Sequence, residues 1–434
     1  MKTLRYLLVL FASAGLLVAC AEEEVRVTLP DVEDPADNGD VDYEVNFMGD
    51  FVFPGDWGEV PVSEVITFYP GTVSLDFLED ETLHAGAGQV GVMACSQCHN
   101  DDALKGFGDS LVEGGRQPWI EVAVQAAYDS DNIYMKFEWD APEPGLHHDY
   151  LQWDGDNWER MRFSEDRLAI IIDDSDVEAY DDAGYGFATV GCFQSCHDNL
   201  NGMPNRDDAP ADWIDDGGDV RKRLLLAHEG PDHESAKSSA EIDALMAEGS
   251  FLDLWQWRGG RSAAIQTADD ASVLYGRPGD EGRSMYKTNW ADDAPELMYD
   301  IEITGFHAIP GGEGNLVEYM KEYPLVEEHN TVAYDPSLSW SVGDMLSRRV
   351  LREPEGSRAD VAAYSYWDDG RWSVTLVRSL DTGNADDKAL LEGEVYTIGI
   401  GVFDDSSAGR DHHVSLEKTL GIDVDADIKA VKLD

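Results

Sequence analysis

Apolar and polar side chains alternate most clearly over residues 120–139. Apolar residues occupy every second position of 120–126 and again of 133–139, with mainly polar residues between them. The polar stretch 129–132, which separates the two runs, is typical of a turn. Because successive side chains of a strand point to opposite faces, the pattern predicts a β-hairpin with one buried face.

The rest of the chain carries further strand patterns and a few helical ones. Strands are predicted at 167–173, 299–304, 371–378 and 394–403. One helix is predicted within 220–228, and a second begins at Ser238, where Glu241 completes a capping box, and ends at Gly249. This order of elements predicts a mainly β fold, an antiparallel β-sandwich with helical and loop insertions.

The N-terminus has the pattern of an export signal. Lys2 and Arg5 precede an apolar run that is too short to span a bilayer. Leu17-Val18-Ala19-Cys20 resembles the lipobox of bacterial lipoproteins. Residues 1–19 are therefore predicted to be a lipoprotein signal peptide, and Cys20 the lipidated first residue of the mature chain. An ordinary signal peptide with an incidental cysteine is the alternative.

The chain is strongly acidic, with 88 Asp and Glu against 31 Lys and Arg and a formal net charge of −57. Such a surface repels nucleic acid and anionic lipid, so binding to either is not expected, and it points to cationic partners, metal ions or a saline habitat. A solvated surface adapted to salt is the simpler explanation. Clustered carboxylates over 173–182 could hold calcium, but they lack EF-hand spacing, which favours a solvated loop.

Four cysteines besides Cys20 form two clusters that both end in Cys-His. They are Cys95-Ser96-Gln97-Cys98-His99 and Cys192-Phe193-Gln194-Ser195-Cys196-His197. Two such thiols can bond to the vinyl groups of one haem while the adjacent imidazole binds its iron. Zinc sites and short disulfides compete, but neither explains a histidine directly after the second cysteine twice. Two covalently bound haem c groups are predicted, with the cofactor-binding residues Cys95, Cys98, His99, Cys192, Cys196 and His197.

Several short motifs occur in a characteristic order between about 115 and 420. They are Val122-to-Trp139, Arg167-to-Asp174, Cys196-to-Pro204, Trp255-to-Arg258, Gly370-to-Trp372 with Arg378-to-Leu380, and His412-to-Ser415. In this order they resemble the haem-binding domain of the ethylbenzene dehydrogenase family, which includes haem-carrying subunits of molybdenum enzymes and free-standing c-type cytochromes. The resemblance implies a β-sandwich that holds a haem at one end of its sheets.

The resemblance also implies iron ligands. In non-covalent members a methionine, in the loop after the strand that matches 167–173, and a lysine near the C-terminus hold the iron. Here His197 replaces the methionine and His412 falls at the lysine position, which implies bis-His ligation and a lower reduction potential than a Met/His pair. His412 and His413 point to opposite faces of a strand, so only one can be the ligand, and His412 is preferred.

For the first haem, members with an N-terminal extension often place a histidine upstream of the attachment motif. The segment His84-Ala85-Gly86-Ala87-Gly88 resembles that pattern, which implies His84 as the distal ligand. His147, His148 and His228 are rivals, and for each histidine a solvated loop position is the alternative. Met203 is expected to be structural.

These observations divide the chain and predict its role. The predicted parts are the signal peptide 1–19, an acidic flexible tether 20–56, an extension 57–115 with the first haem motif, and the haem-binding β-sandwich 116–434. The expected role is electron transfer, without catalysis, between a redox donor and acceptor with a basic docking face, on a protein lipid-anchored at the outer membrane. A di-haem peroxidase-like enzyme and a non-redox ligand-binding sandwich are the alternatives.

Overall fold

The computed structural model describes most of the segment from residue 57 to residue 433. The described ranges are 57–70, 77–78, 80–90, 92–111, 117–146, 148–174, 186–192, 224–227, 236–311, 324–404 and 412–433. The predicted signal peptide and tether, with Cys20, lie outside them. So do His147, Cys196, His197, Met203 and His228.

The described chain is mainly β. Its strands are β1 Ser63–Phe68, β2 Trp119–Tyr128, β3 Asn132–Asp140, β4 Tyr150–Trp153, β5 Trp158–Met161, β6 Arg167–Asp173, β7 Leu252–Arg258, β8 Asp269–Val273, β9 Gly282–Arg283, β10 Tyr286–Thr288, β11 Leu297–Tyr299, β12 Thr331–Ala333, β13 Met345–Ser347, β14 Arg349–Leu351, β15 Glu355–Gly356, β16 Ala362–Asp368, β17 Arg371–Ser379, β18 Val395–Phe403, β19 His413–Val414, β20 Lys418–Ile422 and β21 Ile428–Lys432. The helices are α1 Asp101–Leu111, α2 Phe187–Val190, α3 Ser239–Ala247 and α4 Ile301–Thr304, and 3₁₀ turns cover Ala87–Gln89, Cys95–Gln97, Leu225–Ala227, Ala263–Ile265 and Ser357–Ala359.

One large sheet dominates the part of the chain that the structure describes. Its order is β16-β17-β3-β2-β1-β19-β18-β6-β7-β8, and β20 and β21 pair beside β18 and β2. Neighbours along this path are antiparallel, whereas β21 runs parallel to both β2 and β20. Strand β1, from the predicted N-terminal extension, lies between β2 and β19, so that extension supplies part of the sheet.

The two halves of this sheet face each other across a common core, as the predicted β-sandwich requires. Inward side chains of β2, β3 and β17 pack in one cluster with those of β6, β7 and β18. Trp139, Trp257 and Trp372 meet at its centre, and the rings of Trp257 and Trp372 are 4.9 Å apart. Each of these buried tryptophans removes a large apolar area from water, which holds the two layers together.

A second cluster covers the outer face of β6, β7 and β18, and we call it the outer cluster. It contains Ile171 and Leu254 from the sheet, Leu104 from α1 and Phe187 from α2, with Cys192 after α2. Helices α1 and α2, which are far apart in the chain, therefore pack against the same outer face.

The strand predictions agree with the structure at the hairpin 120–139 and at 167–173, 371–378 and 394–403. The strand predicted at 299–304 is wrong, because β11 ends at Tyr299 and α4 follows. The Asp300 side chain accepts a hydrogen bond from the Glu302 backbone N–H, and Gly305 ends the turn in the left-handed region with φ +78°. Ile301 and Ile303 alternate as in a strand but lie exposed on this helix.

The helix predicted from Ser238 is confirmed as α3, with its capping box formed. Glu241 accepts a hydrogen bond from the Ser238 backbone N–H at 2.9 Å, and the Ser238 hydroxyl accepts one from the Glu241 N–H. Of the helix predicted at 220–228, the structure describes only Leu224 and the 3₁₀ turn Leu225–Ala227.

Replacing Ser238 with alanine is expected to destabilise α3 by about 1 kcal/mol, because the first turn of the helix loses its side-chain cap. Hydrogen exchange of the α3 amides should accelerate roughly fivefold, since that is the factor corresponding to about 1 kcal/mol. Ser239→Ala, one residue farther along and equally exposed, is the control and should leave exchange unchanged. Equal exchange in both variants would show that the capping box does not stabilise α3.

Candidate functional site

The first Cys-His motif is a tight turn that leads into α1. Residues 95–97 form a 3₁₀ turn, in which the His99 backbone N–H donates to the Cys95 carbonyl at 2.9 Å. Asn100 then caps α1, because its side-chain oxygen accepts a hydrogen bond from the Ala103 N–H at 3.0 Å. The cap holds the motif directly beside a helix whose Leu104 packs in the outer cluster.

The structure brings His84 and His99 together. Their ring centroids are 6.0 Å apart and their ring planes differ by 25°. Two imidazoles that bind one metal ion from opposite sides, each through a bond of about 2 Å, place their ring centroids about 6 Å apart. The observed separation would allow His84 and His99 to hold one iron between them.

The hydrogen bond of the His84 ring leaves one nitrogen available for a metal. Its Nδ1 lies 2.8 Å from the Leu78 carbonyl oxygen, an acceptor, so Nδ1 carries the proton and Nε2 keeps its lone pair. This arrangement, with one nitrogen donating to a carbonyl, is common among metal-binding histidines. Burial, with a smaller contribution from His84, lowers the pKa of His99, which favours the neutral ring that binds metal.

Aromatic side chains line both sides of this histidine pair. Phe77 stacks beside His84, with ring centroids 6.4 Å apart. Phe107 of α1 meets His99 edge to face at 5.1 Å, and Phe107 in turn lies 6.4 Å from Phe68 of β1. A phenylalanine ring therefore lies next to each of the two imidazoles.

The two thiols of the first motif differ in environment. Cys95 is partly buried in the outer cluster, Cys98 is exposed, and neither forms a disulfide. Burial, and next the nearby Glu417 carboxylate, raise the pKa of Cys95 to about 12. The motif is therefore not a low-pKa dithiol of the redox-exchange type, in which the thiolate must form near neutral pH.

Of the second Cys-His motif, the structure describes Cys192 and the Gly191 before it. Cys192 follows α2 and is buried against β18. A side chain at Gly399 would place its Cβ 2.3 Å from the Cys192 sulfur, so this strand position accepts only glycine. Gly191 has φ +61°, and a Cβ there would lie 2.7 Å from the Glu417 nitrogen. Both glycines thus let the motif approach the sheet closely.

His412, just before β19, packs against the same face of β18 at Gly401, two residues beyond Gly399. Its ring is 3.4 Å from the place of a Cβ on Gly401, and it stacks on Phe403 with ring centroids 4.1 Å apart. Because Gly399 and Gly401 share one strand face, they lie about 7 Å apart. The outer face of β18 therefore carries Cys192 and His412 as neighbours, both buried.

His413 points to the other side of the strand. Its Nε2 lies 2.6 Å from the carbonyl oxygen of Gln117, and its ring is near Tyr69. That hydrogen bond requires a proton on Nε2, which occupies the nitrogen a haem iron would use. The arrangement favours His412 over His413 as the ligand for the second site.

Glu417 joins the two motifs. Its Oε1 accepts a hydrogen bond from the Ser96 backbone N–H at 2.9 Å, while its own nitrogen lies against Gly191. The side chain is buried, and burial raises the pKa of this carboxyl. The first motif and the start of the second, at Gly191 and Cys192, are therefore adjacent in the fold, although about a hundred residues separate them in the chain.

Among the rival histidines, the structure describes His148. Its main charged neighbours are Arg261 and Glu165, and neither belongs to a Cys-His motif. Burial, and then Arg261, lower the pKa of His148 to about 3, whereas Glu165 opposes the shift. His147, His228 and Met203 lie outside the described residues, as do Cys196 and His197. Of the acidic stretch 173–182, Asp173 ends β6 and Asp174 pairs with Lys388 at 2.6 Å, and the rest is not described.

Sequence reasoning missed the residues that shape this site around the motifs. They are Gly399, Gly401, Phe403, Glu417, Phe77 and Phe107. A glycine at every second position of an otherwise β-branched strand was the available signal, because such glycines mark close approach of another group. Nothing local distinguishes Glu417 among 88 acidic residues.

The protein surface near the first motif is acidic. Asp101, Asp102 and Asp109 are exposed on α1, while Lys105 of the same helix is paired with Glu121. The exposed side of α1 is therefore negatively charged. Within the described residues, no helix combines the length and apolarity needed to cross a membrane.

Comparison with known proteins gives concordant matches. A family model described as ethylbenzene dehydrogenase matches residues 84–415, a segment that runs from His84 past His413. Cytochrome c-552 of Stutzerimonas stutzeri is 24% identical over 389 residues, which cover 87% of this chain and 91% of that protein. Cytochrome c-551 of Rhodocyclus tenuis is 25% identical over 236 residues, which cover 52% of this chain and 75% of that protein.

Proposed function

Because the chain belongs to the ethylbenzene dehydrogenase family, we propose that it is a di-haem c-type cytochrome that transfers electrons between redox proteins. The observation that carries the proposal is the facing pair His84 and His99, 6.0 Å apart beside two unpaired thiols. The similarity to two proteins named as c-type cytochromes supports a cytochrome-like role.

The first haem, in this proposal, is attached to Cys95 and Cys98 and held by His99 and His84. The Leu78 carbonyl orients the His84 ring, and the cap at Asn100 orients the turn that carries His99. Phe77 and Phe107 lie beside the two imidazoles and supply apolar contacts for the haem.

The second haem is attached to Cys192 and Cys196, with His197 and His412 as the iron ligands. The buried face of β18, where Cys192 and His412 lie side by side, supports this assignment. Two histidine ligands on each iron lower its reduction potential relative to a Met/His pair. They also leave no open position for a substrate, which favours electron transfer over peroxidase-like chemistry.

Haem, when bound, supplies one-electron chemistry. The protein residues determine the environment of the two haems and their distance from each other. The outer cluster keeps both attachment motifs in one apolar environment, and Glu417 spans the distance between them. Adjacent sites allow electrons to pass within the molecule without a diffusing carrier.

The proposal extends to location and partners. Cys20 is the lipidated residue that anchors the mature chain to the outer membrane, and the acidic tether 20–56 separates the anchor from the sandwich. The residue after the anchor cysteine is Ala21 and not an aspartate, which argues against retention at the inner membrane. Donor and acceptor are redox proteins with basic docking faces, since the chain carries a formal charge of −57.

The haem count tests this proposal directly. The protein, produced in a host that attaches haem to exported cytochromes, is expected to have the mass of the mature chain plus two haems. Its pyridine haemochrome spectrum should give two haem c groups per chain. Cys95→Ala/Cys98→Ala should contain one, because the second motif keeps its own attachment thiols.

A matched control and a second readout complete the test. Cys20→Ala changes a cysteine outside both motifs, and it should retain two haems while losing the acyl chains. Ferrous wild-type protein should bind little carbon monoxide, because both irons are six-coordinate. A haem-free wild-type preparation from such a host would refute the proposal. Rapid carbon monoxide binding would refute the assignment of two histidine ligands to each iron.

A further inference from the structure

A group of buried carboxylates lies at one edge of the sandwich, away from the haem motifs, and we call it the acid cluster. It consists of Asp253 on β7, Asp270 on β8, Asp280 in the following loop, and Asp387 between β17 and β18. Oxygen atoms of Asp253, Asp270 and Asp387 lie within 4.8 Å of one another. Asp253 and Asp270 are 0% exposed and Asp280 is 5% exposed.

A single positive side chain offsets these charges within the described cluster. Arg378 of β17 donates to Asp253 at 2.5 Å and lies 3.3 Å from Asp387, and it also stacks on Trp255. Lys388 is close in sequence, but its ammonium group pairs with Asp174. Four carboxylates and one guanidinium leave a formal charge of −3 in a water-excluded place, which is costly unless another cation enters.

Several carboxylate oxygens of the acid cluster have no hydrogen-bond donor. They are Asp253 Oδ1, Asp270 Oδ2, and both oxygens of Asp280. An ionised carboxylate buried without a partner is strongly unfavourable, so each unpaired oxygen indicates a missing proton or metal ion. Burial, with Asp386 and Asp253 nearby, raises the pKa of Asp280 to about 8.

We propose that the acid cluster binds one calcium ion through Asp253, Asp270 and Asp387, whose oxygens converge, with the neighbouring Asp280 as a fourth carboxylate. Calcium takes several carboxylate oxygens at about 2.3–2.6 Å, so ligands on opposite sides of one ion are up to about 5 Å apart, which accommodates the observed spread. Magnesium holds its ligands at about 2.1 Å and keeps several waters, which a dry cluster does not supply. The ion reduces the local charge from −3 to −1.

An acidic cavity on the surface is lined by residues next to the acid cluster in the chain. A surface cavity of about 700 Å³ is lined by Glu281, Glu355 and Asp386, among others. Glu281 directly follows Asp280, and Asp386 directly precedes Asp387. The cavity is therefore acidic, and two of its lining residues are chain neighbours of Asp280 and Asp387. The bound ion connects β7 and β8 of one layer to the segment after β17 of the other.

Metal content and thermal unfolding of the full mature protein test the proposal. After dialysis against a buffer whose only divalent metal is trace calcium, elemental analysis should find one calcium per chain beyond the haem iron. Calcium at millimolar concentration should raise the Tm of chelator-treated protein by several degrees, because it binds the folded state only. Magnesium at the same concentration should have a much smaller effect.

Isosteric variants identify the ligands. Asp270→Asn and Asp280→Asn should each lose the bound calcium and its effect on Tm, while Asp243→Asn, the same change on an exposed position of α3, should keep both. Asp280→Asn removes a carboxylate whose oxygens accept no hydrogen bond, so it remains informative if Asp270→Asn fails to fold. A wild-type Tm insensitive to calcium and chelator would overturn the proposal in favour of shared protons. An equal response to magnesium would overturn the choice of calcium.

Discussion

His84→Ala is expected to convert the first haem from six-coordinate low-spin to five-coordinate high-spin iron, while the second haem keeps its spectrum. The reason is that His84 lies 6.0 Å from His99, between ring centroids, with its Nε2 available. Among the described residues, no further imidazole is found beside this pair. About half of the low-spin signal should be lost in electron paramagnetic resonance. Ferrous protein should then bind carbon monoxide at one haem per chain.

Two comparisons make this expectation specific. His307→Ala removes another partly buried histidine whose Nδ1 also faces a carbonyl oxygen, that of Tyr299, and it should leave both haems low-spin. Added imidazole should restore the low-spin spectrum of His84→Ala, because the small ligand can occupy the vacated position. A His84→Ala protein with an unchanged spectrum would show that another residue binds the first iron.

Gly399→Ala is expected to prevent attachment of the second haem, although it adds a single methyl group. The new Cβ would lie 2.3 Å from the Cys192 sulfur and 3.1 Å from Phe187, so the cysteine has to leave its place on β18. Overpacking of this kind costs about 1–3 kcal/mol and moves the side chain that must react with the vinyl group. Intact mass should fall from two haems per chain to one.

Gly401→Ala is the matched control, since it is the same substitution two residues along the same strand face. Its Cβ would meet the His412 ring at 3.4 Å, an ordinary contact, so two haems should remain attached. Circular dichroism of both variants should report the same β content. Full haem loading of Gly399→Ala would mean that Cys192 does not react from the position seen here.

The sequence alone determined the local features of this protein. Haem attachment depends on residues within one short segment, so a Cys-His motif predicts its chemistry without the fold. The alternation over 120–139 and the capping box at Ser238 are likewise local, and the structure agrees with both. The error at 299–304 arose from alternating isoleucines, because the cap at Asp300 and the glycine at 305 favour a helix there.

Only the tertiary structure decided which distant residues meet. His84 lies against His99 whereas His148 lies beside Arg261, and no sequence spacing distinguishes them. The opposite orientations of His412 and His413 follow from strand geometry, but the Gln117 carbonyl that occupies His413 comes from almost three hundred residues away.

Glu417 and the acid cluster illustrate the same limit. Glu417 bridges two motifs that are about a hundred residues apart, and the acid cluster collects carboxylates from β7, β8 and the segment after β17. Pairing of strands and packing of the two layers bring these groups together. Covalent chemistry can be read from neighbouring residues, whereas ligation from the opposite side and burial of charge depend on long-range packing.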